Sequence, residues 1–240
     1  MTGVLTIAAR ELRSYFRLPV GWIVAALYLS LTGAVFALST LEPGAPATLG
    51  GFFAGAASLL AVIAPAISMR LFSEEARSGT LETLMTSPAS DLTVVLGKYL
   101  GAAGCLAVIL APTAVYIALL YRLAEPAPDP GPILAGYLGL ALVGLLYLGV
   151  GTLASACTSS QTLAFLVAFL VIVGHLLLTD EGAARLPQPY AGWLAATSIS
   201  IRAREFGAGI IDTAHVGFFA AWTLWTLAAA ALIQQSRRWR

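Results

Sequence analysis

Residues 50–121 read GGFFAGAASLLAVIAPAISM, then RLFSEEARSGTLETLMTSPASDLTVVLGK, then YLGAAGCLAVILAPTAVYIALLY. The outer two pieces, Gly50 to Met69 and Tyr99 to Tyr121, contain no Lys, Arg, Asp or Glu. An α-helix needs roughly 20 such residues to cross the hydrocarbon of a bilayer. The runs are too long and too continuously apolar for tilted barrel strands, and a lone spanning segment must satisfy its own backbone as a helix. The middle piece carries Arg70, Glu74, Glu75, Arg77, Glu82, Asp91 and Lys98. The stretch therefore reads as two membrane-spanning helices joined by a polar loop, residues 70–98.

The same pattern repeats outward. Further apolar runs cover Gly21 to Leu41, Ile133 to Ser155, Ser160 to Leu178 and Ala214 to Gln234, all free of formal charge. Burying a charge in hydrocarbon is costly enough to produce that distribution. The chain has 240 residues, 59% hydrophobic and 10% charged. Its mean hydropathy is +0.86. A soluble domain carries roughly 25% charged residues. These values exclude an ordinary soluble enzyme, a disordered chain and a nucleic-acid binder. Two Cys exclude a disulfide scaffold. The expected fold class is all-α: one polytopic transmembrane domain over 1–240 with six spans.

Lys and Arg orient it. Arg10, Arg13, Arg17, Arg70, Arg77, Lys98, Arg237, Arg238 and Arg240 fall on one side, and Arg122, Arg185, Arg202 and Arg204 on the other. Nine against four puts the first side, with both termini, in the cytoplasm. Trp22, Tyr121, Tyr190, Trp193 and Trp239 stand near span ends as an interfacial belt. Pro65 and Pro112 fall inside spans and each removes a backbone donor, which predicts kinks. Gly51/Gly55 and Gly97/Gly101 have the spacing that lets helices approach closely.

Two polar pieces belong to the cytoplasmic side. In the first, Thr6, Arg10, Arg13 and Arg17 share one helical face. Leu5, Ala8, Leu12, Tyr15 and Phe16 fall largely on the other. This predicts an amphipathic helix in the interface with its Arg residues toward lipid phosphates. In the second, Gly79 ends the helix that continues from the second span. Thr80 to Thr86 reads as a short helix with Leu81, Leu84 and Met85 on one side, stopped by Ser87 and Pro88. Ser90 or Asp91 caps the helix into the third span. A helix of about two turns is not stable alone in water, so it must lie on a membrane or a partner.

The run EEARSGTLETLMTSPASDLTVVLGKYLG resembles the signature loop of ABC-2-type exporter permeases. It is most similar to the gliding-motility and nitrous-oxide-reductase-maturation branch (GldF/NosY-like). ARELRSYFRLPVGWI is similar to that family's elbow helix and first-span entry. PDPGPILAGYLGLALVGLLYLGVGTLASACTSSQ resembles its fourth span and the turn after it, and FGAGIIDTAHVGFF its entry into the last span. The resemblance implies a type V ABC exporter fold with an elbow helix at Arg10, Arg13 and Arg17. It implies a coupling helix at Thr80 to Thr86, including Leu81, Glu82, Leu84 and Met85, approached through Glu74, Glu75, Arg77 and Gly79. It also implies a separate cytoplasmic ABC ATPase subunit, which would hold the ATP and Mg, and a second permease copy or sister permease. The location implied is the inner membrane.

No phosphate-cradling loop is present. The Gly97-Lys98 pair is followed by Tyr99, and Leu92 stands where the first Gly is needed. The chain is therefore expected to hydrolyse no ATP and to bind no cofactor itself. An intramembrane protease is a remote alternative: in an EExxxR pattern from Glu74-Glu75 the Arg position is Gly79, and no GxSG occurs. A non-transporting anchor or assembly factor with the same fold stays open. His175 and His215, with no carboxylate expected nearby, read as packing histidines rather than metal ligands. Cys105 and Cys157 read as small apolar packing residues. The external segment, residues 179–213, holds SISIRAREF, Ser198 to Phe206, which reads as a short helix capping the outer surface.

Overall fold

The computed structural model describes residues 2–41, 47–79, 90–182 and 185–237. Among them the fold is all-α, with no strand. Helix α1 is Thr2–Arg17, α2 Pro19–Thr40, α3 Gly50–Ser68 and α4 Ser73–Ser78. Helix α5 is Asp91–Leu110, followed by a 3-10 turn at Ala111–Thr113 and α6 at Ala114–Leu123. Helix α7 is Pro130–Cys157, α8 Gln161–Leu177, α9 Tyr190–Ala195, α10 Ile199–Gly207 and α11 Thr213–Arg237. Six helical segments are long and apolar enough to cross a membrane: α2, α3 with α4, α5 with α6, α7, α8 with its last turn, and α11.

The helices start and stop where local chemistry dictates. Ser90 caps α5, its hydroxyl accepting from the Thr93 amide. Asp129 caps α7, which opens on Pro130, and Ser160 caps α8. Pro112 marks a local change within its span: α5 gives way after Leu110 to the 3-10 turn and the chain continues as α6. Pro65 stays within a continuous α3, three residues before its end.

Helices α3 and α7 form the centre, and α2, α8, α10 and α11 pack around them. The glycine pairs do the expected work. A methyl at Gly51 would lie 2.9 Å from Ser39 Cβ, and one at Gly55 2.6 Å from Val35 Cγ1, so α2 rides directly on α3. Gly97 and Gly101 serve α1 in the same way, at 2.7 Å from Ile7 Cβ and 2.5 Å from Glu11 Cβ. The first helix is thus seated on α5 and is more than a surface element.

That seating corrects one expectation. The face of α1 turned to α5 is carried by Ile7, Ala8, Glu11, Leu12 and Tyr15, while Leu5 is 65% exposed. Leu5 lines a groove with Thr6, Ala9, Arg10, Arg13 and Arg17. The close approach at Gly97 and Gly101 selects which side of the amphipathic helix is inward. The hydrophobic pattern alone assigned Leu5 to the wrong side.

Candidate functional site: the junction between α1, α4 and α5

The end of α3 leaves carbonyls that no further helical turn can bond. The Tyr15 hydroxyl of α1 donates to Ile67 O at 2.8 Å. Burial pushes the Tyr15 phenol well above its usual range, with Glu11 adding to the shift, so it stays a donor. Ser155, buried near the end of α7, donates to Met69 O at 3.0 Å. The Ser73 hydroxyl also bonds Met69 O. The Ser155 oxygen accepts from the amides of Phe72 and Ser73 at 3.0 and 3.1 Å. One buried hydroxyl thus closes the end of α3 and the start of α4 together. Leu71 and Phe72, both buried, pin the turn between them.

Helix α4 carries Glu74, Glu75 and Arg77 and ends at Gly79. Its φ of 72° places Gly79 in the left-handed region that terminates helices. Glu74 points outward and accepts from Arg70 Nε and Nη2 at 3.1 and 3.0 Å. Glu75 points inward to Lys98 Nζ of α5, with Oε1 at 2.7 Å. Lys98 is 2% exposed. Its ammonium also lies 3.7 Å from Glu11 Oε2 of α1 and 5.4 Å from the Phe72 ring centroid. Three helices therefore meet at one buried cation. Arg77 remains exposed at the tip, beside Gly79.

Of the residues expected at this site, Glu74, Glu75, Arg77 and Gly79 are gathered at the base of the loop. Thr80, Leu81, Glu82, Leu84 and Met85, with the rest of the helix from Thr80 to Thr86, lie outside the described residues. Arg10, Arg13 and Arg17 lie on the exposed side of α1. Sequence reasoning missed Glu11, Tyr15, Lys98 and Ser155. Lys98 had a signal: it stands between Gly97 and Gly101, on the face of α5 that those glycines mark as tightly packed.

The opposite end is built differently. Ser198 caps α10, and Phe206 is buried against α7, where a methyl at Gly139 would lie 2.5 Å from Phe206 Cβ. The expected helix exists, and it packs into the bundle against α3 and α7. His175 Nε2 lies 3.1 Å from Thr197 O. His215 has a carboxylate neighbour after all, Glu205 Oε2 at 3.2 Å from Nδ1. The turn between α10 and α11, residues 208–212, brings them together. Among the described residues no group of three metal-ligating side chains forms. An apolar cavity of about 170 Å³ lies between α7, α8 and α11, lined by Val150, Val171, Phe218, Trp222 and Trp225 among others.

Residues 43–179 match the family described as ABC-2 family transporter protein. The match covers more than half of the chain, from before α3 through α8. The chain belongs to the ABC-2 transporter family. No curated protein matches it. As an ABC-2 permease it is a multi-pass membrane subunit, and its six apolar helices agree with that. The matched segment contains α4, Lys98 and Ser155, while Glu11 and Tyr15 of the permease lie before it and α10 after it.

Proposed function

We propose that this chain is the permease subunit of an ABC exporter of the gliding-motility and nitrous-oxide-reductase-maturation type. A separate cytoplasmic ATPase subunit, holding ATP and Mg, docks on the coupling segment from Thr80 to Thr86, and the permease pairs with a second copy or a sister permease in the inner membrane. Both termini face the cytoplasm. The coupling contact runs through Thr80, Leu81, Glu82, Leu84 and Met85, with Glu74, Glu75, Arg77 and Gly79 at its base.

The observation that carries this reading is the way the base of the loop is held. Ser155 fixes it to α7, and Glu75 fixes it to α5. Buried helix ends need such partners in any case, but the same bonds also tie the loop to two spans at once. A loop that receives a push needs that tie, because the push must reach the bundle.

The test is Leu84→Asp in the full chain. A charge forced into an apolar contact costs several kcal/mol, and about 1.4 kcal/mol is already tenfold in affinity. The variant should insert normally and lose the co-purifying ATPase subunit. Recovery of that subunit at wild-type yield, with wild-type turnover, would reject the coupling role.

A further inference from the structure

Lys98 joins two carboxylates from elements far apart in the chain, Glu11 of α1 and Glu75 of α4. The arrangement is unequal. The ammonium sits at hydrogen-bond distance from Glu75, 2.7 Å, and 1 Å farther from Glu11, at 3.7 Å. Oε2 of Glu75 is buried and has no hydrogen-bond partner among the described residues. One cation faces two carboxylates in a setting where the Lys side chain is 3% exposed. As a stabilising device this is a poor choice, because well-packed apolar side chains of the same volume often do as well or better than buried ions. What apolar packing cannot do is hold two helices to one point while letting that point shift between them. An ammonium on a flexible four-carbon stem can.

Helix α1 is otherwise tied to the bundle through the end of α3, by Tyr15 on Ile67 O, and through its close packing on α5. Helix α4 is tied to α7 through Ser155. The Lys98 cluster is where the base of the loop and α1 meet the same side chain. We propose that Lys98 is a positioning residue that links α4 to α1, so that displacement of the loop is delivered to the amphipathic first helix as well as to the third span. The link rests on the coupling role proposed above for the loop.

The experiment uses the full chain with its co-purifying ATPase subunit in lipid nanodiscs, in a Cys105→Ala, Cys157→Ala background. Spin labels at Ser78→Cys or Ala9→Cys are each paired with one at Leu138→Cys, and distances are measured without nucleotide and with ATP and vanadate. In the otherwise wild-type complex both distances should shift. With Lys98→Met the Ser78 distance should still shift while the Ala9 shift should fall well below its wild-type size, the remainder being carried by the packing of α1 on α5. Lys98→Arg, which can bridge both carboxylates, should restore the Ala9 shift. If Lys98→Met leaves two buried carboxylates that impair assembly, Lys98→Met with Glu11→Gln and Glu75→Gln removes them, and it should decouple in the same way. An Ala9 shift of wild-type size in either variant that lacks the ammonium overturns the link and leaves the coupling reading intact. Absence of any shift in the wild-type complex overturns the coupling reading itself, and the link falls with it.

Discussion

The two ends of the bundle solve the same problem with different chemistry. At the end bearing α1 and α4, helix termini meet inside the protein, so their backbone groups must be bonded there. Side-chain hydroxyls of Tyr15, Ser73 and Ser155 supply those bonds, and Lys98 with its carboxylates completes the junction. At the end bearing α10, a short helix capped by Ser198 is instead buried through Phe206, while Thr197 O meets His175 and Glu205 meets His215. A hydrogen-bonded junction loses its partners when geometry changes, so it registers displacement. An apolar contact is non-directional, and its strength follows the area it takes out of water. The first end is held mainly by directional bonds and the second mainly by apolar packing.

The largest effect expected is all-or-none and tests whether the ends face different compartments. In a Cys105→Ala, Cys157→Ala background, Thr80→Cys should resist an impermeant thiol reagent in intact cells, while Gln188→Cys should react. Reversed labelling would overturn the orientation and with it the assignment of the loop to the cytoplasm.

Next comes Phe206→Ala. Removing a fully buried Phe typically costs about 3–5 kcal/mol. Thermal unfolding in detergent, followed by exposure of the buried Cys105 thiol in a Cys157→Ala background, should show a large fall in midpoint. An unchanged midpoint would mean that α10 is not held by its apolar anchor.

Ser155→Ala probes the other end. It strips partners from Phe72 N–H, Ser73 N–H and Met69 O, and each buried group left unpaired costs about 1–3 kcal/mol. The second bond that Met69 O takes from Ser73 and partial relaxation bring the expected loss to about 2–3 kcal/mol in the same assay. A loss under about 0.5 kcal/mol, the size of an ordinary surface substitution, would show that the junction is not rigid.

The smallest effect is Ser198→Ala, which removes the α10 cap and the bond to Asp180. Caps contribute about 1 kcal/mol. A loss as large as that of Ser155→Ala would erase the distinction between the two ends.

Much of this architecture is legible in the chain. Six charge-free runs appear because a formal charge in hydrocarbon is expensive, a cost that acts on each residue wherever the helix packs. Helix caps at Ser90 and Ser198 are local as well: a hydroxyl reaches an amide three residues on, and no distant partner is involved. The Gly51/Gly55 and Gly97/Gly101 pairs announce close approach. They do not say to which helix, and the answers, α2 for one and α1 for the other, came from the fold.

What the chain by itself determined is thus the class of molecule, the number of spans and the caps that start some of its helices. Those depend on hydropathy and on contacts within one turn. Only the tertiary structure decided that Lys98 is a buried bridge and not one more loop cation, that Glu75 turns inward while Glu74 turns out, and that Leu5 faces away from the bundle. It alone decided that Ser155 closes two helix ends, at Met69, 86 residues away, and at Phe72 and Ser73, 83 and 82 residues away, and that His215 meets Glu205. Each of these is a choice of partner across a large sequence separation. Such a choice is made by the packing of whole helices, and a one-dimensional pattern of polar and apolar residues holds no record of it.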